Sequence, residues 1–299
     1  MLKKILRVLG GSICLALIPP VYLDCVVALG VADNNGKAQW VASGFLYGER
    51  LSESSDRYTV FLVTARHVVT DLQHAMASGY LMGHRAASVV MRFNPDPGEP
   101  AREFPVPMDK WVASDDPAIH AAAAPLNTNF LREHGVAHLA FFEGDQSVAN
   151  RAKAKELGIS EGDGVYVLGF PLGLVEQGER NFVIVRGGTI ARISDCLAGQ
   201  RQSFLVDALI FPGNSGGPVV SRPEISAVQA TKPQTASYLI GFIEGYIPYE
   251  DYAVSAQTQR PRVIFEENSG LSEVIPVDEV QQVVKLAIGK LEQRSGAER

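Results

Sequence analysis

A serine set among glycines, Gly213-Asn214-Ser215-Gly216-Gly217, precedes the apolar run Pro218-Val219-Val220. Glycine adds nothing to packing and costs backbone entropy, so this stretch suits a chain that turns sharply and lets a substrate approach. In such a turn the amide N–H groups of Gly213 and Ser215 can converge beside the Ser215 hydroxyl. Two convergent donors stabilise a tetrahedral oxyanion, and losing one costs about 3 kcal/mol of barrier. A serine hydroxyl needs a general base at neutral pH. His67 supplies one at the end of the buried-strand pattern Phe61-Leu62-Val63-Thr64-Ala65-Arg66-His67. A carboxylate that could orient the imidazole occurs in Ser114-Asp115-Asp116-Pro117-Ala118-Ile119. Nucleophile, base and carboxylate together are the equipment of acyl transfer. Each has a plainer reading: a Gly-rich hairpin turn, a core histidine, and an Asp-Asp-Pro turn. Only the combination makes the chemical reading specific.

In the order His67, Asp116, Ser215 these motifs resemble those of trypsin-like (chymotrypsin-fold) serine proteases, nearest to the bacterial secreted and HtrA-type branch. The order differs from that of subtilisins and α/β-hydrolases. The resemblance implies that His67 is the base, Asp116 its orienting carboxylate and Ser215 the nucleophile, with Gly213 and Ser215 as oxyanion donors. Asp116 is preferred to Asp115 because Asp-x-Ala-Ile resembles the family's Asp-x-Ala-hydrophobic step, here with Pro117 in the middle. Asn214 stands where the family often carries Asp. The base of the specificity pocket, six positions before the nucleophile, falls on Leu209. Leu209, Ile210 and Phe211 offer no charge for Arg or Lys, so Val, Ile, Leu or Ala is expected before the scissile bond. Glu244-Gly245-Tyr246 is the edge expected to pair with substrate backbone. The substrates implied are polypeptides, and neither a metal nor an organic cofactor is called for.

The expected fold is all-β, with two packed six-stranded antiparallel β-barrels and a C-terminal α-helix. The first barrel covers residues 24–126 and holds His67 and Asp116. A connection runs over 127–160, and 161–299 forms the second barrel with Ser215 and the closing helix. Asp33-Asn34-Asn35-Gly36-Lys37 is a hairpin turn signal. Ala42-Ser43-Gly44-Phe45 resembles the strand the family sets ahead of its histidine. Pro248 to Pro261 reads as an inserted surface loop. Pro276-Val277-Asp278-Glu279 opens a helix whose apolar face includes Val280, Val283, Val284 and Ala287. Only that helix follows the second barrel, so no PDZ domain is expected, which departs from the HtrA pattern.

The 299 residues can bury a large core. A formal net charge of −6 without a basic run argues against nucleic acid as a partner. Lys3, Lys4 and Arg7 precede an apolar stretch from Val8 to Leu23, so residues 1–23 read as a signal peptide or a membrane anchor of an exported protein. Three cysteines make no disulfide framework, and Cys25 and Cys196 are expected to be separate buried thiols. The six histidines show no zinc spacing. Two other readings keep part of the pattern: a protease-fold module that binds peptide without cutting, and a serine esterase. The esterase is disfavoured because the His-Asp-Ser order and the paired-barrel strand pattern are those of the resembled protease fold, and no Gly-x-Ser-x-Gly strand–helix elbow appears.

Overall fold

The computed structural model describes residues 17–52, 54–95, 99–175, 178–224 and 233–297. Most of the expected leader, residues 1–16, lies outside them. A short helix, α1 (Pro20–Asp24), leads into β1 (Val26–Ala32), all of whose residues are buried. Tyr22 is itself buried, and its hydroxyl donates to the Ser237 carbonyl at 2.9 Å. The turn after β1 forms as its sequence predicts. Asp33 Oδ1 accepts from the amides of Asn35 and Lys37, at 2.8 and 2.9 Å, and Gly36 takes the left-handed φ of 78°.

The chain returns as β2 (Ala38–Arg50), pairs with β3 (Tyr58–Ala65) and enters α2 (Arg66–Ser78), which ends at Gly79 in the left-handed conformation. A small hairpin of β4 (Tyr80–Leu81) and β5 (His84–Arg85) precedes β6 (Ser88–Phe93) and β7 (Arg102–Pro105). Then come β8 (Val112–Ala113) and β9 (Ala121–Pro125). These build a sheet in the order β7-β6-β1-β2-β3-β9-β8, and β10 (Phe142–Glu143) adds to β2 in parallel. The first unit is thus an eight-stranded sheet with one parallel addition rather than a closed six-stranded antiparallel barrel.

The connecting segment carries α3 (Thr128–Glu133) and α4 (Arg151–Leu157), each capped by an asparagine: Asn127 accepts from Phe130 N and Asn150 from Lys153 N. The second unit consists of β11 (Gly164–Gly169), β12 (Ile184–Arg192), α5 (Ser194–Leu197), β13 (Phe204–Asp207), β14 (Pro218–Ser221), β15 (Leu239–Val254) and β16 (Pro261–Pro276). Its six strands close into an antiparallel barrel in the order β11-β12-β13-β16-β15-β14. Pro248 to Pro261 is not a plain loop. It belongs to a ribbon in which β15 and β16 stay paired out to Val254 and Pro261.

The closing helix, α6 (Val277–Ala297), returns to the first sheet. Val277, Val280, Val283, Val284 and Ala287 are buried in the same apolar cluster as Phe45, Leu62 and Ala123. Asp278 and Glu279 occupy its first turn, where carboxylates suit the helix dipole. Among the described residues no helix is long and apolar enough to cross a membrane. Cys25 and Cys196 are free and buried, and burial raises the pKa of both thiols.

Candidate active site

The serine loop is held by backbone and by Ser43. The Asn214 side chain accepts from Phe211 N at 3.1 Å, and the Asn214 carbonyl accepts from Gly217 N at 2.8 Å. Gly213 and Gly216 take φ values of 100° and 78°, which a side chain would resist. A Cβ on Gly213 would also strike the Phe170 carbonyl. From β2, the Ser43 hydroxyl donates to the Gly213 carbonyl at 2.7 Å and accepts from Phe170 N at 2.9 Å. Ser43 N donates to the Ser215 carbonyl at 3.0 Å, and Thr64 of β3 donates to the Ser43 carbonyl at 2.7 Å. Leu172 N donates to the Pro212 carbonyl at 2.6 Å. In a planar trans peptide this turns the Gly213 N–H to the opposite side. Neither Gly213 N–H nor Ser215 N–H donates to an acceptor among the described residues. Both expected oxyanion donors are thus uncommitted.

His67 sits in the first turn of α2, whose other face buries Val68, Val69, Leu72 and Ala75. That packing leaves the imidazole turned to the cleft, with its Nδ1 3.1 Å from Oε1 of Glu244. The same Oε1 lies 3.1 Å from Nδ1 of His120. Glu244 comes from β15, and its side chain is 19% exposed, against 40% for His67 and 38% for His120. Burial pushes the Glu244 carboxyl up, but the hydrogen bond and charge of His67, helped by His120, outweigh it and hold the group below its usual range. Burial pulls the His67 imidazole down, and Glu244, helped by Asp71, more than restores it to a raised pKa. With Nδ1–H donated to the carboxylate, Nε2 is left as the basic nitrogen. The Ser215 hydroxyl donates to the Glu244 carbonyl at 3.3 Å, and no hydrogen bond joins it to His67 among the described residues. A cavity of about 240 Å³ opens over Arg66, His67, Thr70, Asp71, His120 and Glu244.

Asp116 does not meet His67, contrary to the orienting role expected of it. Its carboxylate is exposed and accepts from Ala118 N at 2.9 Å, while its carbonyl accepts from Arg66 Nη1 at 2.9 Å. Asp115-Asp116-Pro117 is therefore a local turn, closed by an Asx hydrogen bond. The strand that the family-like aspartate should introduce begins five residues after it, at Ala121, directly behind His120. His120 is fixed by its backbone: its carbonyl accepts from Arg66 N at 2.5 Å and its amide donates to Glu279 Oε2 at 2.6 Å.

Leu209 is 44% exposed and Ile210 is buried, with the Ile210 carbonyl held by Asn268 Nδ2 at 2.6 Å. Gly245 and Tyr246 follow Glu244 on β15, and the Tyr246 hydroxyl donates to Glu266 at 2.6 Å. Sequence reasoning valued Glu244 for its backbone and missed its carboxylate, and it missed His120. The signal for Glu244 was available: one acid inside Leu239-Ile240-Gly241-Phe242-Ile243-Glu244 is a charge that needs a partner when its strand is buried.

The model of the trypsin-like peptidase domain matches residues 42–224, and the chain belongs to that family of peptidases. Solved structures also align with this chain at low identity. HBP has 10% identity and a TM-score of 0.45, covering 91% of this chain and 94% of that one. The protease Anisep from Arthrobacter nicotinovorans has 12% identity and a TM-score of 0.42, covering 88% and 95%. The thermostable serine protease AL20 from an extremophilic microorganism has 13% identity and a TM-score of 0.43, covering 88% and 96%. No curated protein matches the sequence.

Proposed function

We propose that this chain is a serine endopeptidase working through Ser215, His67 and Glu244, with Glu244 in the role the sequence motif suggested for Asp116. The observation that carries the reading is the hydrogen bond between His67 Nδ1 and the mostly buried Glu244 carboxylate, on the residue whose carbonyl meets the Ser215 hydroxyl. His67 Nε2 takes the Ser215 proton as Oγ attacks the scissile carbonyl, and later delivers it to the leaving amine. Glu244 fixes the tautomer and stabilises the imidazolium. The Gly213 and Ser215 amides receive the oxyanion, each contributing about 3 kcal/mol. Water then repeats the attack on the acyl-enzyme. The attack requires Ser215 Oγ to leave the Glu244 carbonyl for His67, as catalytic hydrogen bonds tighten when substrate binds.

The uncharged Leu209-Ile210-Phe211 segment supports a preference for Val, Ile, Leu or Ala before the scissile bond. Peptides with those residues should turn over at least tenfold faster than peptides with Arg or Lys. Equal rates would remove Leu209 from the specificity pocket. The basic and apolar residues 1–23 support export, to be checked by fractionating cells that make the full chain. A purely cytoplasmic pool would argue against it.

Labelling with a fluorophosphonate tests the chemistry. Wild type should label, Ser215→Ala should not, Glu244→Gln should lose most of the rate, and Asp116→Asn should keep it within a few-fold. Absence of labelling in folded wild type would favour the non-cutting binding module.

A further inference from the structure

Beyond the candidate active site, the most unusual surface is the ribbon made by the outer halves of β15 and β16. β15 pairs with β14 only from Leu239 to Phe242, and Gly216 and Gly217 continue that edge to Ile243. On the other side β16 accompanies it all the way to Val254. Past Ile243, no described strand pairs with the β14-side edge of β15. At about 3.3 Å per residue, the run from Glu244 to Val254 is an open edge about 35 Å long. It begins at the Glu244 carbonyl, the acceptor of the Ser215 hydroxyl.

The ribbon is also uncovered. Tyr249, Tyr252, Val254, Val263, Ile264 and Phe265 are all exposed, the least at 47%. The pairing Tyr252↔Ile264 stands next to Asp251↔Phe265, so apolar side chains project from both faces. A two-stranded ribbon of this kind is marginal alone and gains from a third strand.

We propose that this edge docks an extended, apolar-rich polypeptide segment on the N-terminal side of the scissile bond, well beyond the few residues nearest the cut. The inference rests on the peptidase reading for the position of the cut. Continuity with the cleft argues for this occupant, and β14 gives its direction. β14 leaves the serine loop antiparallel to β15. A strand in line with β14 and running the same way would end at Ser215 and extend its N-terminal part along the ribbon. Backbone hydrogen bonds would supply affinity, and the exposed apolar side chains would favour alternating Val, Ile and Phe. The substrates selected are unfolded or extended chains, since a folded protein cannot offer so long a free edge.

The test uses quenched-fluorescence peptides sharing one short core around the cut, with and without eight alternating apolar and polar residues added at either end. The variant for comparison replaces Glu250–Glu266 with Asn-Gly, a two-residue turn suited to the Tyr249↔Glu267 register. Wild type should cleave the N-terminally extended peptide with at least tenfold higher kcat/KM than the core, and the shortened variant should show a ratio near one. C-terminal extension should give no gain. Methylating alternate backbone nitrogens of the extension should abolish the gain in wild type, a readout that leaves the protein intact if the shortened variant misfolds. Anisotropy with Ser215→Ala reads the same length dependence as binding, so length-dependent binding without any cleavage by wild type would sink the peptidase reading but keep the docking edge. Equal kcat/KM and equal binding with and without the extension, or a gain retained after shortening, would overturn the proposal. So would a ribbon-dependent dimer that the extended peptide fails to displace.

Discussion

The Ser43 hydroxyl of the first sheet donates to the Gly213 carbonyl of the serine loop at 2.7 Å, and this contact fixes one wall of the proposed oxyanion site from the opposite half of the molecule. Ser43 also accepts from Phe170 N, so removing its hydroxyl strands two buried backbone groups at once. Ser43→Ala should destabilise the fold by about 2 kcal/mol and reduce kcat at least tenfold with little change in KM. Thermal melting and steady-state kinetics on a short peptide check both. An unchanged kcat would mean that Gly213 keeps its orientation without the clamp.

The carboxylate assignment separates sharply by mutation. Glu244→Gln keeps shape but no longer holds an imidazolium, and kcat/KM should fall about a thousandfold or more. Asp116→Asn leaves an acceptor for Ala118 N and should stay within about threefold. The reverse ranking would return the orienting role to Asp116.

The pH profile should carry the mark of the same pair. His67 must be neutral to act as base, and its pKa is raised, so kcat/KM should climb with pH through a midpoint above the ordinary imidazole value of about 6.5. In Glu244→Gln the His67 titration, followed by NMR of the ring, should move down. The stability consequences run in opposite directions. The His67 contribution is present at low pH and lost as pH rises through its raised pKa. That of Glu244 is present at higher pH and lost as pH falls through its depressed pKa. The ion pair therefore stabilises most between the two. A midpoint unaffected by Glu244→Gln would show that the carboxylate does not act on His67.

Asn214 is fully buried and electrically neutral, and its Oδ1 serves the Phe211 amide. Asn214→Asp keeps that acceptor but introduces a buried charge without a counter-ion. Melting temperature, and fluorophosphonate labelling taken relative to wild type at the same pH, should both drop at pH 8 and recover as the pH is lowered toward protonation of the new carboxyl. Equal behaviour at both ends of that range would indicate a counter-charge at the loop.

How much could be read in advance depended on whether the chemistry was local in the chain. The serine loop is a continuous stretch whose glycines supply its positive φ values and whose Asn214 bonds back to Phe211 and Gly217, so its sequence announces its shape. His67 is likewise set by adjacent residues, at the junction of β3 and α2. The carboxylate is different. Asp116 sits in a motif-like string, but Asp-Asp-Pro chemistry closes a turn on Ala118, and the strand starts only at Ala121. The acid that reaches His67 is far along the chain, and only pairing of β15 with β14 and β16 brings it in. The length of the β15–β16 ribbon was hidden for a related reason. Pro248 and the polar residues around it look like loop material, whereas cross-strand pairing of Tyr252 with Ile264 holds them extended.

The last helix has a consequence for the order of events during synthesis. Glu279 accepts the His120 amide, and the valines of α6 complete the core beneath β9, although both belong to a segment translated well after the first sheet. A growing chain that has already made Ser215, His67 and Glu244 still lacks the piece that seats His120 and covers the first sheet. On the proposed mechanism, a chain that stops short of α6 should fold incompletely and fail to cut, so competence is expected to arrive only once translation has passed that helix.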